Sequence, residues 1–345
     1  MAGLGPATQP LKRILRRADA RHWVVGTSPT MVKLGGLAAD AKIARNLDQA
    51  QSFGAASIGP GSNGRTAMSL TNKTLWIIER NLDKDLTLGA IAEAAGVSRY
   101  HLAHAFGTAT GRSVMEYARG RRLSEAARAL AAGAPDILAV ALEAGYASHE
   151  AFSRAFRAQF DITPEELRRK ASLEGVALVD AMRLPTHDSV SLEEPEIVTE
   201  GPLLFVGLAE RVSFASAPRL VPAAWQRFMP HYDSIDDKAN PIPVGVTTNL
   251  DDDGNFDYVC AIEVKRFDDV RAPLIKLTVP KQTYAVFQHR GHISTVGQTF
   301  EAIWNDWLAF HNKTTADAPT LERANPGFNT MTGNGGETLW IPLKA

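Results

Sequence analysis

Two stretches fifty positions apart, HLAHAF over His101–Phe106 and AFSRAF over Ala151–Phe156, carry one helical pattern. Ser98 and Ser148 stand at matching places ahead of them, Leu102 answers to Phe152, and Phe106 to Phe156. Each copy follows a short apolar segment and a glycine. Leu88, Ile91, Ala92 and Ala95 keep the i, i+3, i+4, i+7 spacing of one buried helical face before Gly96. A second short helix over 137–144 ends at Gly145. Glycine favours the left-handed helix stop and serine the N-cap of the next helix. A short helix, a tight turn and a capped second helix is the plan of a helix-turn-helix, whose second helix enters the major groove. The recurring Leu or Phe residues are then the buried side that holds each second helix.

Between the copies, SVME (Ser113 to Glu116) is a capping-box pattern that opens a long helix to about Ala132, stopped by Gly133 and Pro135. TPEE from Thr163 starts a last helix with proline at its favoured first position. The whole helical region spans 68–170. Ahead of it, 1–67 has nine Lys and Arg against three Asp and Glu and no persistent period. That stretch reads as a disordered basic extension, with Met68 as an alternative start. The helical region is nearly balanced, while 190–345 carries thirteen basic residues against twenty acidic ones. An acidic second half is a poor nucleic-acid surface, so DNA contact falls to the earlier part.

The segments LTLGAIAEAAGVSRYHLAHAF, GRSVMEYARGRRLSEAARAL and ILAVALEAGYASHEAFSRAFRAQFDITPEELRR resemble the DNA-binding domain of the AraC/XylS family of bacterial transcription regulators. The resemblance implies two helix-turn-helix units joined by the long helix, bound to double-stranded promoter DNA, with RNA polymerase as a further partner. The face opposite the buried residues is expected to contact DNA. In the first unit it holds Arg99, Tyr100 and His104; in the second, His149, Glu150, Ser153, Arg154 and Arg157. Arginine can pair bidentately with guanine and glutamate can accept from the cytosine amino group. Arg154 is assigned to a base edge and Arg157 to phosphate, although either guanidinium can hold either partner. Two such helices on one chain would address major-groove turns roughly 34 Å apart.

From about Val190 the period changes to β-branched and aromatic strands (LLFVGLAERVSF, PIPVGVTTNL, FDYVCAIEV, PLIKLTVP, TYAVFQHRG, TLWIPL) with two amphipathic helices between them. The order is strand, helix, strands, given twice, an α+β design with helices on an antiparallel sheet. The chain is thus multidomain, all-α first and α+β second, joined by a linker over 171–196. LTVPKQTYAVF, the helix ending IWNDWL and the run LERANPGFNTMTGNGGETLWIPL make 197–345 resemble the GyrI-like small-molecule-binding domain. That resemblance implies an aromatic cleft holding a small lipophilic or cationic effector, with Glu322 as its acid and Trp225, Tyr258, Trp304 and Trp340 as its walls. A carboxylate among ring faces attracts a cation by charge and by cation–π contact. Family positions often filled by Tyr and by an acid are Ala324 and Thr338 here, which leaves neutral ligands open.

Other chemistry finds little support in the residues. Cys260 is the single cysteine and sits in an apolar run, so no disulfide or multi-cysteine metal site is expected. His289 and His292 (HRGH) have no nearby acid or thiol to complete a metal set, and DDDG from Asp251 reads as a hairpin turn. No cofactor is expected. No apolar run reaches the roughly 18 residues of a membrane span, and a cytoplasmic location follows as the simplest expectation. The alternative to a non-catalytic regulator is a hydrolase acting on a reactive small molecule through Glu322 and a tyrosine. Ala324 removes the tyrosine that this reading would want.

Overall fold

The computed structural model describes Trp23–Val24, 69–184, 190–329 and 332–344; the expected basic extension lies almost wholly outside these residues. Among the described residues from 69 to 184 there are seven helices: α1 (Leu70–Glu79), α2 (Leu88–Ala95), α3 (Arg99–Thr110), α4 (Val114–Ala131), α5 (Ile137–Glu143), α6 (His149–Phe160) and α7 (Pro164–Lys170). Their ends follow from local chemistry. Gly96 closes α2 at φ 79° and Gly145 turns the chain after α5 at φ 82°, a region L side chains adopt only with strain. Ser98 then accepts from the His101 amide, and Ser148 from the Ala151 amide, so both second helices begin as the repeat implies.

The α4 helix joins the two units. Its first half, through Val114, Tyr117 and Ala118, packs with α1, α2 and α3; its second half, through Leu123, Ala126, Ala127 and Leu130, packs with Phe152, Phe156 and Phe160. Thr163 and Glu166 cap α7 reciprocally, each side chain bonded to the other's backbone amide. Thr163→Ala is expected to lose about 1 kcal/mol of stability, read as a lower urea midpoint with an unchanged slope.

The chain after α7 is no free tether in its described part. Val179 donates its amide to Ser124 Oγ at 2.8 Å and Met182 donates to the Tyr117 hydroxyl at 2.9 Å. Buried Arg121 reaches the Val179 carbonyl at 3.0 Å while clasping Glu79 through Nε and Nη2 at 2.8 and 2.9 Å. Burial would raise the Glu79 pKa, yet the hydrogen bonds from Arg121 and Tyr117 outweigh it and hold that carboxyl below its usual range. In its described part the segment therefore lies along α4 as a strap.

Eight strands of the second half and the N-terminal pair Trp23–Val24 form one nine-stranded sheet among the described residues: β1 (Trp23–Val24), β2 (Glu196–Glu200), β3 (Leu203–Ser213), β4 (Val244–Thr248), β5 (Asn255–Val264), β6 (Ile275–Val279), β7 (Gln282–His289), β8 (Thr320–Ala324) and β9 (Glu337–Leu343), in the order β1-β6-β3-β5-β4-β8-β9-β7-β2. All pairs are antiparallel except β1 with β6. The sheet curls, so that Leu277 and Val279 of β6 share one inner core with Tyr284 and Val286 of β7. On the outer face α8 (Ala217–Phe228) covers Val206, Tyr258, Cys260 and Ile262. A second helix begins as α9 (Val296–Ala302), passes through a π turn over Ile303–Trp307 and ends as α10 (Leu308–Phe310). It covers Ala285, Phe287, Leu339 and Ile341. Between the two helices β4 and β8 meet, at the seam of the two halves.

Candidate functional site

Two sites follow from this frame, one on the helical units and one over the β4–β8 seam. In the second unit α6 buries Phe152, Phe156 and Phe160 on one side. His149, Glu150, Arg154 and Arg157 are exposed on the rest of its surface, and Ser153 is half-buried. His149 Nε2 lies 2.9 Å from Glu165 on α7, which fixes that ring at the start of the helix. Arg154 makes no ion pair among the described residues and is left to meet a partner from outside.

The first unit differs. Arg99 is exposed, but Tyr100 is half-buried and His104 keeps only 5% of its surface. Both project away from Leu102 and Phe106, as the helix geometry dictates. What covers them is the sheet domain. Tyr100 donates its hydroxyl to the Ala318 carbonyl and lies 3.1 Å from Thr320 Oγ1, and the His104 ring stacks on Trp304 with centroids 4.5 Å apart.

Over the seam, Trp225 Nε1 donates to the Tyr258 hydroxyl at 3.3 Å, and that hydroxyl donates to Glu322 Oε2 at 3.3 Å. Gly245 makes this chain possible. It stands between Cys260 and Glu322 in register, and a Cβ there would meet the Tyr258 hydroxyl at 2.2 Å. Tyrosine can lean across β4 only because that strand has no side chain at this point. Burial raises the Glu322 pKa, and the hydrogen bond from Tyr258 only partly offsets it.

A second acid, missed in the sequence, shares the face. Glu337 pairs with Ala324 on β8, one step along from Glu322, and is 6% exposed with Oε1 buried and unpartnered. Its pKa is raised by burial and further by Glu322. Strand alternation was the available signal: Glu337, Leu339 and Ile341 point to the outer face, whereas Thr338 and Trp340 point to the inner one. Cys260 in the same row has its thiol pushed up to about 12, by burial first and then by Glu322.

Trp225, Tyr258 and Glu322 are thus brought together, and two expected wall residues are not. Trp340 packs on Tyr284 at 5.6 Å on the inner face, under the Arg323 guanidinium. Trp304 is fully buried against α3. The HRGH histidines are structural: His289 bonds Thr299 and the His292 carbonyl, and His292 bonds Ser294 and the Thr332 carbonyl. Among the described residues no group of three His, Cys, Asp or Glu could hold a metal ion, and no helix is long and apolar enough to cross a membrane. Asp251 closes the DDDG turn by accepting from the Asn255 amide at 2.8 Å.

Comparison with known proteins agrees with this division. A family profile described as GyrI-like small molecule binding domain matches residues 193–344, and one described as helix-turn-helix domain matches 91–170. The transcriptional regulator Rob of Salmonella typhimurium is 27% identical over 270 residues, 75% of this chain and 91% of Rob. The regulatory protein SoxS of Escherichia coli is 38% identical over 95 residues, 28% of this chain and 88% of SoxS. A solved AraC-type regulator from Chromobacterium violaceum is 29% identical, with TM-score 0.29, over 30% of this chain and 92% of its own.

Proposed function

This chain belongs to the AraC family of transcription regulators and carries a GyrI-like domain behind its helix-turn-helix units, and from that premise we propose that it couples promoter recognition to a small lipophilic or cationic effector, without catalysis. The observation that carries the DNA side is α6: three phenylalanines anchor one face while Arg154 and Arg157 stand exposed on the other. Such a helix can lie in a major groove with arginine at a base edge. RNA polymerase is the proposed second partner once the chain is seated on a promoter.

The effector side rests on the hydrogen-bonded run Trp225–Tyr258–Glu322 and on Glu337 beside it. A half-buried carboxyl, Glu322, and a buried one, Glu337, next to indole and phenol rings favour a lipophilic ligand with a positive charge. An effector regulates only through unequal affinity for two arrangements of the chain. The hydrolase reading uses the same residues and would make Glu322 a base; recovery of effector unchanged after prolonged incubation separates the two.

Selection of bound DNA by the full chain, at two salt concentrations, is the test of the DNA side. An enriched sequence motif is expected. Arg154→Ala should then weaken the selected site by about 1–3 kcal/mol and relax preference at one position. Equal weakening on every sequence would reduce Arg154 to a phosphate contact, and salt-sensitive binding without a motif would remove sequence recognition altogether.

A further inference from the structure

The face of α3 that a helix-turn-helix offers to the major groove is occupied from within the chain. Ser98 Oγ lies 3.2 Å from Thr315 Oγ1, and Tyr100 bonds Ala318 and Thr320. His101 donates from Nε2 to the Trp304 carbonyl at 2.6 Å. His104 stacks flat on Trp304, 10° from parallel, and takes the edge of Phe214 at 5.8 Å. One turn later the Gly107 backbone lies so close to Phe214 that a Cβ would meet its ring at 2.2 Å.

Both halves of the sheet domain take part in the grip. Phe214 leads into α8, while Trp304 belongs to the helix on the other half. Asn305, next to Trp304, accepts from the Thr71 amide at 2.9 Å and donates to the Ala105 carbonyl at 3.2 Å. A third contact comes from the β4–β5 turn, where Arg119 meets Asp253 at 3.3 Å. Thr320 is two residues from Glu322 on the same strand face, so this seat borders the effector site.

A duplex cannot reach base edges through a helix face that another domain covers. Among the described residues nothing gives the α6 face of the second unit such a cover. We infer that the sheet domain masks the first recognition helix, so that in this arrangement the chain meets DNA through its second unit alone, and full recognition requires α3 to leave its seat. The inference deepens the regulator reading and rests on it. The buried imidazoles fit an internal seat: desolvation keeps both neutral, lowering His101 and taking His104 down to about 3. A solvated groove-reading face would not hold His104 Nε2 buried without a partner.

Two full-chain variants test the masking on the DNA selected above. Ser98→Cys with Thr315→Cys joins the touching hydroxyl positions by a disulfide and locks α3 in place; Cys260 is buried and stands apart. Gly107→Ala does the reverse, since alanine suits the helix while its methyl group drives Phe214 off the seat. Hydroxyl-radical footprinting of the oxidised double variant should show one protected groove segment. Gly107→Ala should protect two, with at least about tenfold tighter binding and a steeper salt dependence. Two protected segments under the lock, or a wild-type footprint and affinity for Gly107→Ala, would overturn the masking. Absence of protection in every form would instead bring down the DNA-binding reading from which it starts.

Discussion

Phe156→Ala is expected to cost about 3–5 kcal/mol and to melt the second helix-turn-helix while the sheet domain stays folded. Phe156 is fully buried, with the rings of Phe152 and Phe160 at 5.4 and 4.8 Å. Its core is small, filled mostly by Leu123, Ala127, Leu130, Val140, Ala141 and Leu167, and few neighbours can collapse into the void. Among the described residues this core is filled from the helical region and the strap after it, so the loss is local. Hydrogen exchange should show α5, α6 and α7 losing protection while β5 keeps it, and binding to the selected DNA should vanish. Uniform loss of protection across the chain would mean that the second unit is no separate cooperative unit. Phe106→Ala, by contrast, opens a core that holds α1 to α4 together with Trp304, Trp307 and Leu308, and it should unsettle both halves at once.

That difference explains what the sequence made legible. The repeat of serine cap and aromatic face is local chemistry, and each cap found its amide where spacing required. The strands can be read from β-branched content, and their alternation puts Glu337, not the neighbouring Thr338, on the face that carries Glu322. The seat of α3 is another matter. Tyr100 and His104 do point away from their own unit's core, and nothing within twenty residues of them indicates that Trp304 and Phe214 will cover them. Contacts between residues one hundred to two hundred positions apart arise from how two domains pack, which no local period records. The same holds for Trp304 and Trp340: the family resemblance implies both as walls of the cleft, and only the helix and sheet faces they occupy separate them from Glu322.

Binding of a lipophilic cation over the β4–β8 seam is expected to strengthen as pH rises, by up to about tenfold per pH unit while one proton leaves for each cation bound. Glu322 is protonated more readily than an ordinary carboxyl because burial disfavours its charge, and Glu337 is raised by burial and by Glu322. Two such carboxyls cannot both ionise cheaply in the empty site, whereas a cation between ring faces supplies the missing counter-charge. Stability of the empty domain runs the opposite way. The folded state holds protons that the unfolded chain has released, so stability is fully present below the ordinary carboxyl pKa of 4.5 and declines as pH climbs toward the raised values. Glu322→Gln removes one charge and relieves the other, and it should flatten both slopes. Titration calorimetry with benzyltriethylammonium from about pH 5 to about pH 8.5, in buffers of different ionisation heat, reads affinity and released protons together. Affinity that ignores pH, with no proton released, would show that the cation is not held by these carboxyls. A neutral ligand of the same shape should bind with the contrary trend, favoured where both acids keep their protons, because it offers nothing to offset a buried negative charge.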